Sequence, residues 1–317
     1  MGFTGCPLSG SPNPGFAHYN PRTGKNSLIA YNTNKEIDNS METKSIDGLK
    51  IYYEPENADA AELVGGACEK TISLLAERWG LKIPADCRVY VMTSWEWYLW
   101  HSSPPLWKVL LAITLPINYF RIRKMWPLAG GWEQQYGTRH TMGVKTPELM
   151  EQADRSHGLK LFEVEDNVTQ KVEYVTCHEL THAFVSDFKL PNWLKEGLSM
   201  LAVDYYAGSN TVREDTMQSL MKFDEVDESE KERQLIINDP DAIIYIYARG
   251  YWITRYLEET YPDLLTSLFS EQMARQNIEE KIAARMGLSR EEFWREINDI
   301  VLQYFGTQEK ESHHALE

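Results

Sequence analysis

The apolar positions of this chain change their period several times, and each change marks an element. Leu49–Pro55, LKIYYEP, is a compact apolar and aromatic run that reads as a strand. From Asp59 to Gly80, Leu63, Ala67, Ile72, Leu75 and Trp79 recur at roughly helical spacing, which predicts an amphipathic helix. Pro84 then precedes a second strand over Cys87–Ser94. Pro105–Leu128 is strongly apolar and then basic, interrupted by Lys108, Pro116 and Asn118. Its apolar part is too short for the roughly 20 residues that span a bilayer. The first expectation is a helix or hairpin buried in an insert at about 101–128. The alternative is an interfacial segment, with Arg121, Arg123 and Lys124 meeting anionic headgroups; a cover for a partner or substrate is a third. Gly131–Pro147 alternates and is rich in glycine, as expected of a strand near a sheet edge. Residues 147–156 read as a short helix or loop and 159–166 as extended. From Asn167 onward the pattern is almost wholly helical.

Strands with one helix come first and helices follow, so the fold class expected is α+β. Residues 1–46, rich in Gly, Pro, Ser and Asn, read as an extended or poorly ordered arm. A mixed lobe is expected over 47–190, with its last helix at about 167–188. A mainly helical lobe follows over 191–306, and then a tail over 307–317. Asp224–Glu232 reads as a charged surface loop, and no internal repeat is visible.

Composition narrows the function classes. With 317 residues and 43% hydrophobic content the chain can bury a sizeable core, and 12% aromatic residues exclude a disordered chain. A net charge of −15 argues against a nucleic-acid partner, because no surplus of cations is available to neutralise phosphates. The cysteines Cys6, Cys68, Cys87 and Cys177 form no CxxC pair, so a cysteine-based zinc site is not expected. Cys177 reads as a buried, inert thiol, and Cys68 could pair with Cys87 if the chain is exported. The first residues have no cationic start followed by an apolar run, hence no signal peptide as they stand. The compartment stays open, with an exported or membrane-peripheral place expected if the natural start lies upstream.

Chemistry concentrates in Val175–Leu201, VTCHELTHAFVSDFKLPNWLKEGLSML. Asn167 is a plausible N-cap with Gln170 in capping-box position. Val168, Val172, Val175, Glu179 and His182 share one helical face, so the HExxH residues turn toward the side that the valines bury. His178 and His182 lie one turn apart and can converge on one ion, and neutral imidazole is a good zinc ligand. Glu179 can reach a metal-bound water and take its proton. Chance gives about 0.02 H-E-x-x-H matches in a chain of this composition, so a coincidence of packed histidines is the weaker reading. Pro191 and Asn192 suit a helix start that puts Glu196 in its first turn, where a carboxylate completes a two-His, one-Glu set and leaves a fourth position for water. Glu196 could instead be a carboxylate favoured by the helix dipole. Asp204 is the second candidate ligand, or an acceptor for a ligand histidine N–H.

HELTHAF followed by PNWLKEGLSML resembles the gluzincin metallopeptidases, and the short spacer between His182 and Glu196 resembles their peptidase-MA-like branch. YARGYWITRYLEETYP (Tyr247–Pro262) and WPLAGGWEQQYG resemble further parts of that branch, so the likeness runs loosely over 49–270. The insert at 105–126 and the first 46 residues have no counterpart in it. The resemblance implies a zincin-like fold and a zinc-dependent hydrolase of peptide bonds holding one Zn2+. His178, His182 and Glu196 would be the ligands and Glu179 the general base. It also suggests Tyr247 as donor to the oxyanion, with Tyr251, Arg249 and His140 as alternatives and His140 and Tyr251 as substrate-binding candidates. A Tyr in this aromatic helix could equally be core with a satisfied hydroxyl. The strand around Tyr136–Lys145 could pair with an extended peptide substrate, or be an edge strand without a ligand. No GxMEN-like motif supplies acidic groups for a substrate ammonium, so an endopeptidase acting on peptides or proteins is expected. The other readings are a catalytically silent binding or scaffolding module and a zinc hydrolase of a non-peptide amide or ester.

Overall fold

In the computed structural model, residues 41–127, 129–152, 161–163, 166–222, 241–270 and 275–314 are described. Two short strands, β1 (Glu42–Ile46) and β2 (Leu49–Tyr53), pair antiparallel. Asp47 and Gly48 turn between them, both at positive φ (47° and 89°). An Asp-Gly pair adopts that backbone readily, and its twist matches a two-residue hairpin. This corrects the N-terminal arm: its last residues belong to the sheet. Helix α1 (Ala58–Trp79) follows and stops at Gly80, whose left-handed backbone lets its N–H reach the Ala76 and Leu75 carbonyls. Its buried face is Ala61, Val64, Cys68, Leu75 and Trp79, while Leu63 and Ile72 lie at the flank.

Strand β3 (Asp86–Met92) runs parallel to β2. After α2 (Trp95–Ser102), capped by Ser94, and α3 (Pro105–Met125), the hairpin β4 (Gly131–Tyr136) and β5 (Arg139–Lys145) completes the sheet. The order is β1-β2-β3-β5-β4, a mixed five-stranded sheet with β1 and β4 at its edges. Alternation along β3 divides the packing. Cys87, Val89 and Val91 enter the main core, while Tyr90 and Met92 join Trp95, Tyr98 and Leu99 on the other side. The α+β class therefore holds.

The insert departs from the first expectation in its burial. It is the helix of that expectation, a single 21-residue α3 running through Pro116, but it packs on one face and leaves the other exposed. Leu111, Leu115, Tyr119 and Ile122 pack toward Tyr90, Met92 and Trp95. Leu106, Val109, Leu110, Ile113 and Phe120 stay exposed. Both faces are apolar, and among the described residues only one is covered. Among the described residues no helix is long and apolar enough to cross a membrane.

The remaining described elements are mainly helical: α4 (Pro147–Glu151), α5 (Val168–Val185), α6 (Asn192–Ala207), α7 (Asp241–Thr260), α8 (Pro262–Phe269), α9 (Arg275–Arg285) and α10 (Arg290–His314). Helix α10 continues to His314 where a tail was expected from 307. One core cluster runs from Ile46 to Phe305, so the two expected lobes share a common interior. Cys68, Cys87 and Cys177 are buried free thiols. Of the expected extended stretch, the described residues include Phe162, which bridges to Val212. The charged loop 224–232, residues 1–40 and the end of the 147–156 segment lie outside the described residues.

The tightest contact in the helical part is α6 against α7. A Cβ on Gly197 would overlap the Thr254 hydroxyl and the Gly250 carbonyl, and one on Gly250 would overlap the Trp193 carbonyl. Gly197→Ala is therefore expected to cost about 2 kcal/mol or more and to lower Tm by several degrees in a thermal melt. Gly66→Ala, exposed within α1 with nothing within 4 Å of its Cβ position, should instead raise stability by about 0.5–1 kcal/mol.

Candidate metal centre

Helix α5 starts at Asn167, whose side chain accepts from the Thr169 and Gln170 amides at 3.0 and 3.4 Å, as its sequence predicts. Val172, Thr176, Cys177, Leu180, Thr181, Ala183 and Phe184 face inward. His178 and His182 sit beside this stripe, their side chains 18% and 14% exposed, and so remain reachable from solvent. The chain leaves α5 through a short 3-10 turn, Ser186–Phe188, and bends at Lys189, whose φ is 51°. Pro191 then starts α6, its carbonyl accepting from the Leu194 and Lys195 amides at 3.1 Å. That reversal carries Glu196 back over the histidines.

Three atoms converge. His178 Nε2 and His182 Nε2 are 3.1 Å apart, and Glu196 Oε2 lies 3.5 Å from the first and 3.3 Å from the second. Nitrogen and oxygen ligands at about 2.0–2.1 Å from a tetrahedral zinc are separated by about 3.3 Å, the edge of that tetrahedron. The triangle therefore fits one such ion. Glu196 Oε2 is buried and no hydrogen bond satisfies it, as expected of an oxygen placed to take a cation. No other group of three His, Cys, Asp or Glu ligand atoms comes together among the described residues. Burial disfavours charge on Glu196, but His182 and His178 outweigh it and hold the carboxyl down at about 2. Burial likewise opposes charge on His182, and Glu196 overcomes it, raising the histidine above its ordinary value.

Glu179 occupies the next position on the same helix. Burial pushes its carboxyl up to about 8; His178 opposes this, while the charges of Glu196 and Glu133 add to it. The edge strand passes directly over it. A Cβ on Gly131 would collide with the Glu179 side chain, and one on Gly130 would sit 2.8 Å from Val175 Cγ2. The glycine pair thus lets β4 lie close against the HExxH face. Gly131, Glu133 and Gln135 alternate onto the α5 side of the sheet, and Glu133 Oε1 is buried there without a hydrogen bond. Burial raises the Glu133 carboxyl, against the pull of His182, Lys195 and His140. Glu133 is the site residue that the sequence reading passed over. Its signal was strand alternation, two places after the glycine that clears Glu179.

The other candidates separate. Tyr247, on α7, senses the charge of the site: Glu196, then burial, then Glu179 raise its hydroxyl far above the usual range. Tyr251 does not. It is fully buried, donates to Asp204 Oδ2 at 2.6 Å and accepts from Arg255 at 3.0 Å. Asp204 also accepts from the Thr211 amide and hydroxyl, both at 2.7 Å, so its oxygens are engaged away from the histidines. Arg249 donates to Asn298 at 3.1 Å and stacks on Trp294 in the core. His140 is 1% exposed, with Nδ1 2.7 Å from Ser186 Oγ and Nε2 3.5 Å from Asp187, and so is closed to a substrate. Strand β5 carries most of Tyr136–Lys145, is paired on both sides and cannot add a peptide; the free edge is β4.

Compared with models of known protein families and with curated proteins, the chain matches none.

The purified chain should bind one zinc ion per molecule by metal analysis, and Glu196→Ala should weaken that binding about a hundredfold or more. Chelated protein offers a second test through pH. Glu196, lowered from 4.5 to about 2, contributes stability that is complete above pH 4.5 and is lost as pH falls toward 2. His182, raised from 6.5, contributes stability that is complete below pH 6.5 and is lost above it. Thermal melts of the metal-free chain should show both losses, and Glu196→Gln should remove them.

Proposed function

We propose that the chain is a zinc-dependent peptidase of the gluzincin type, with a zincin-like arrangement of edge strand, HExxH helix and third-ligand helix. The observation that carries this reading is the triangle of 3.1, 3.3 and 3.5 Å formed by His178, His182 and Glu196, with Glu179 beside it. Zinc held there would act as a Lewis acid and lower the pKa of a coordinated water toward about 7.

The chain's own groups have complementary tasks. The Glu179 carboxylate accepts the proton of the attacking water and later delivers it to the leaving nitrogen. Burial raises its proton affinity in the metal-free chain; beside a held cation that affinity would fall, keeping the carboxylate available to take the proton. Tyr247 keeps its proton and donates to the oxyanion that develops on the scissile carbonyl. The free edge of β4 offers main-chain groups to an extended substrate beside Glu179. Substituting Glu179 by Gln should leave zinc content unchanged and reduce cleavage of a peptide library by about 10²–10⁴-fold. Full activity in that variant contradicts the mechanism.

An endopeptidase mode is the first reading. Glu133 favours a second, because a carboxylate oxygen, buried without a hydrogen bond beside the site, complements a substrate ammonium. Acetylating the N-terminus of cleaved peptides separates the two. Endopeptidase activity survives acetylation. Aminopeptidase activity is lost, and Glu133→Gln weakens cleavage of the free-amine peptides.

A further inference from the structure

Helix α3 has no part in this chemistry. Its inner face packs on α2 and the sheet through Leu111, Leu115, Tyr119 and Ile122. Its outer face carries large apolar side chains at helical spacing. Leu106 is 73% exposed, Ile113 65% and Phe120 78%, with Val109 and Leu110 between them. A contiguous apolar face of this kind is costly in water and marks a contact surface.

The charge pattern indicates the partner. The whole chain carries −15, yet between Glu96 and Glu133 the sequence has no Asp or Glu and contains Lys108, Arg121, Arg123 and Lys124. Arg123 is exposed at the C-terminal end of α3. Trp100 and Trp107, 53% and 44% exposed, lie at the other end. Tryptophan favours the headgroup boundary, where its ring is buried and its N–H stays wet. A helix with one exposed apolar face, cations and flanking tryptophans suits the interface of an anionic bilayer. It cannot cross one. A second copy of the chain would instead set these cations against their own duplicates.

We infer that α3 is a membrane-interfacial helix that lays Leu106, Val109, Leu110, Ile113 and Phe120 into an anionic lipid surface, parallel to the bilayer. Trp107 packs against Tyr136 of β4, its ring tilted by 59° at 5.4 Å, and α3 leads into β4, so this docking sets that edge of the sheet close to the lipid.

The test is flotation of the full chain with phosphatidylcholine vesicles, with and without phosphatidylglycerol. The chain should float with the anionic vesicles and bind about tenfold more weakly to phosphatidylcholine alone. The double variant Ile113→Glu, Phe120→Glu should lose about a hundredfold in vesicle affinity. Both residues are exposed, so its circular dichroism and zinc content should match the parent. A parent chain that stays with the soluble fraction overturns the inference, and so does a double variant that floats like the parent. A dimer in light scattering that the same variant dissolves, with no flotation by the parent, assigns the face to a second copy. Vesicle binding is read without reference to cleavage, so its failure leaves the peptidase proposal untouched.

Discussion

The site depends on one close helix crossing. Gly197 and Gly250 let α6 and α7 meet backbone to backbone, and no larger residue fits at either position without displacing its neighbour. Glu196 immediately precedes Gly197, and Tyr247 lies one turn before Gly250. The crossing therefore sets the third ligand and the candidate oxyanion donor against each other, as the effect of Glu196 on the Tyr247 hydroxyl reflects. A crossing looser by a methyl group would move both residues relative to the histidines, which belong to a different helix.

A second pair of glycines acts from the opposite side. Gly130 lies against Val175, and Gly131 clears Glu179, so the edge strand rests on the HExxH helix where bulkier residues would lift it away. Helix α5 is thus held between a glycine-cleared strand and a helix anchored by its own glycine crossing. Burial raises both carboxyls there, but His182 and His178 pull Glu196 down to about 2, while burial and the neighbouring carboxylates leave Glu179 up at about 8. Two carboxylates with such different proton affinities can serve as ligand and base side by side.

Much of this was legible in the sequence because it is local. The Asn167 cap, the one-turn spacing of His178 and His182 and the Pro191 helix start are properties of adjacent residues. What was hidden depended on which surface met which. The Asp47–Gly48 turn carried its own hairpin signal, but the residues before it are polar enough to pass for an arm. Periodicity marked Gly131–Pro147 as strand without showing that β5 is enclosed and β4 is the edge. Tyr247 and Tyr251 share a helix and a composition. Only the crossing determines that the first feels the charge of Glu196 while the second, one turn on, donates to Asp204. His140 was attractive as a histidine and is taken up by Ser186 and Asp187. Helix α3 is apolar all round, a pattern that reads as burial, and its exposure appears only when the sheet is seen to cover one face.

The central claim is that two imidazoles and one carboxylate define a zinc site with an open position. X-ray absorption at the zinc edge of the loaded chain tests it most directly. The account predicts a first shell of nitrogen and oxygen at about 2.0–2.1 Å, with two imidazole scattering patterns and no sulfur. The same spectrum in Glu196→Ala should lose one first-shell oxygen neighbour. A sulfur shell, a single imidazole, or an unaltered spectrum in that variant would contradict the site as described.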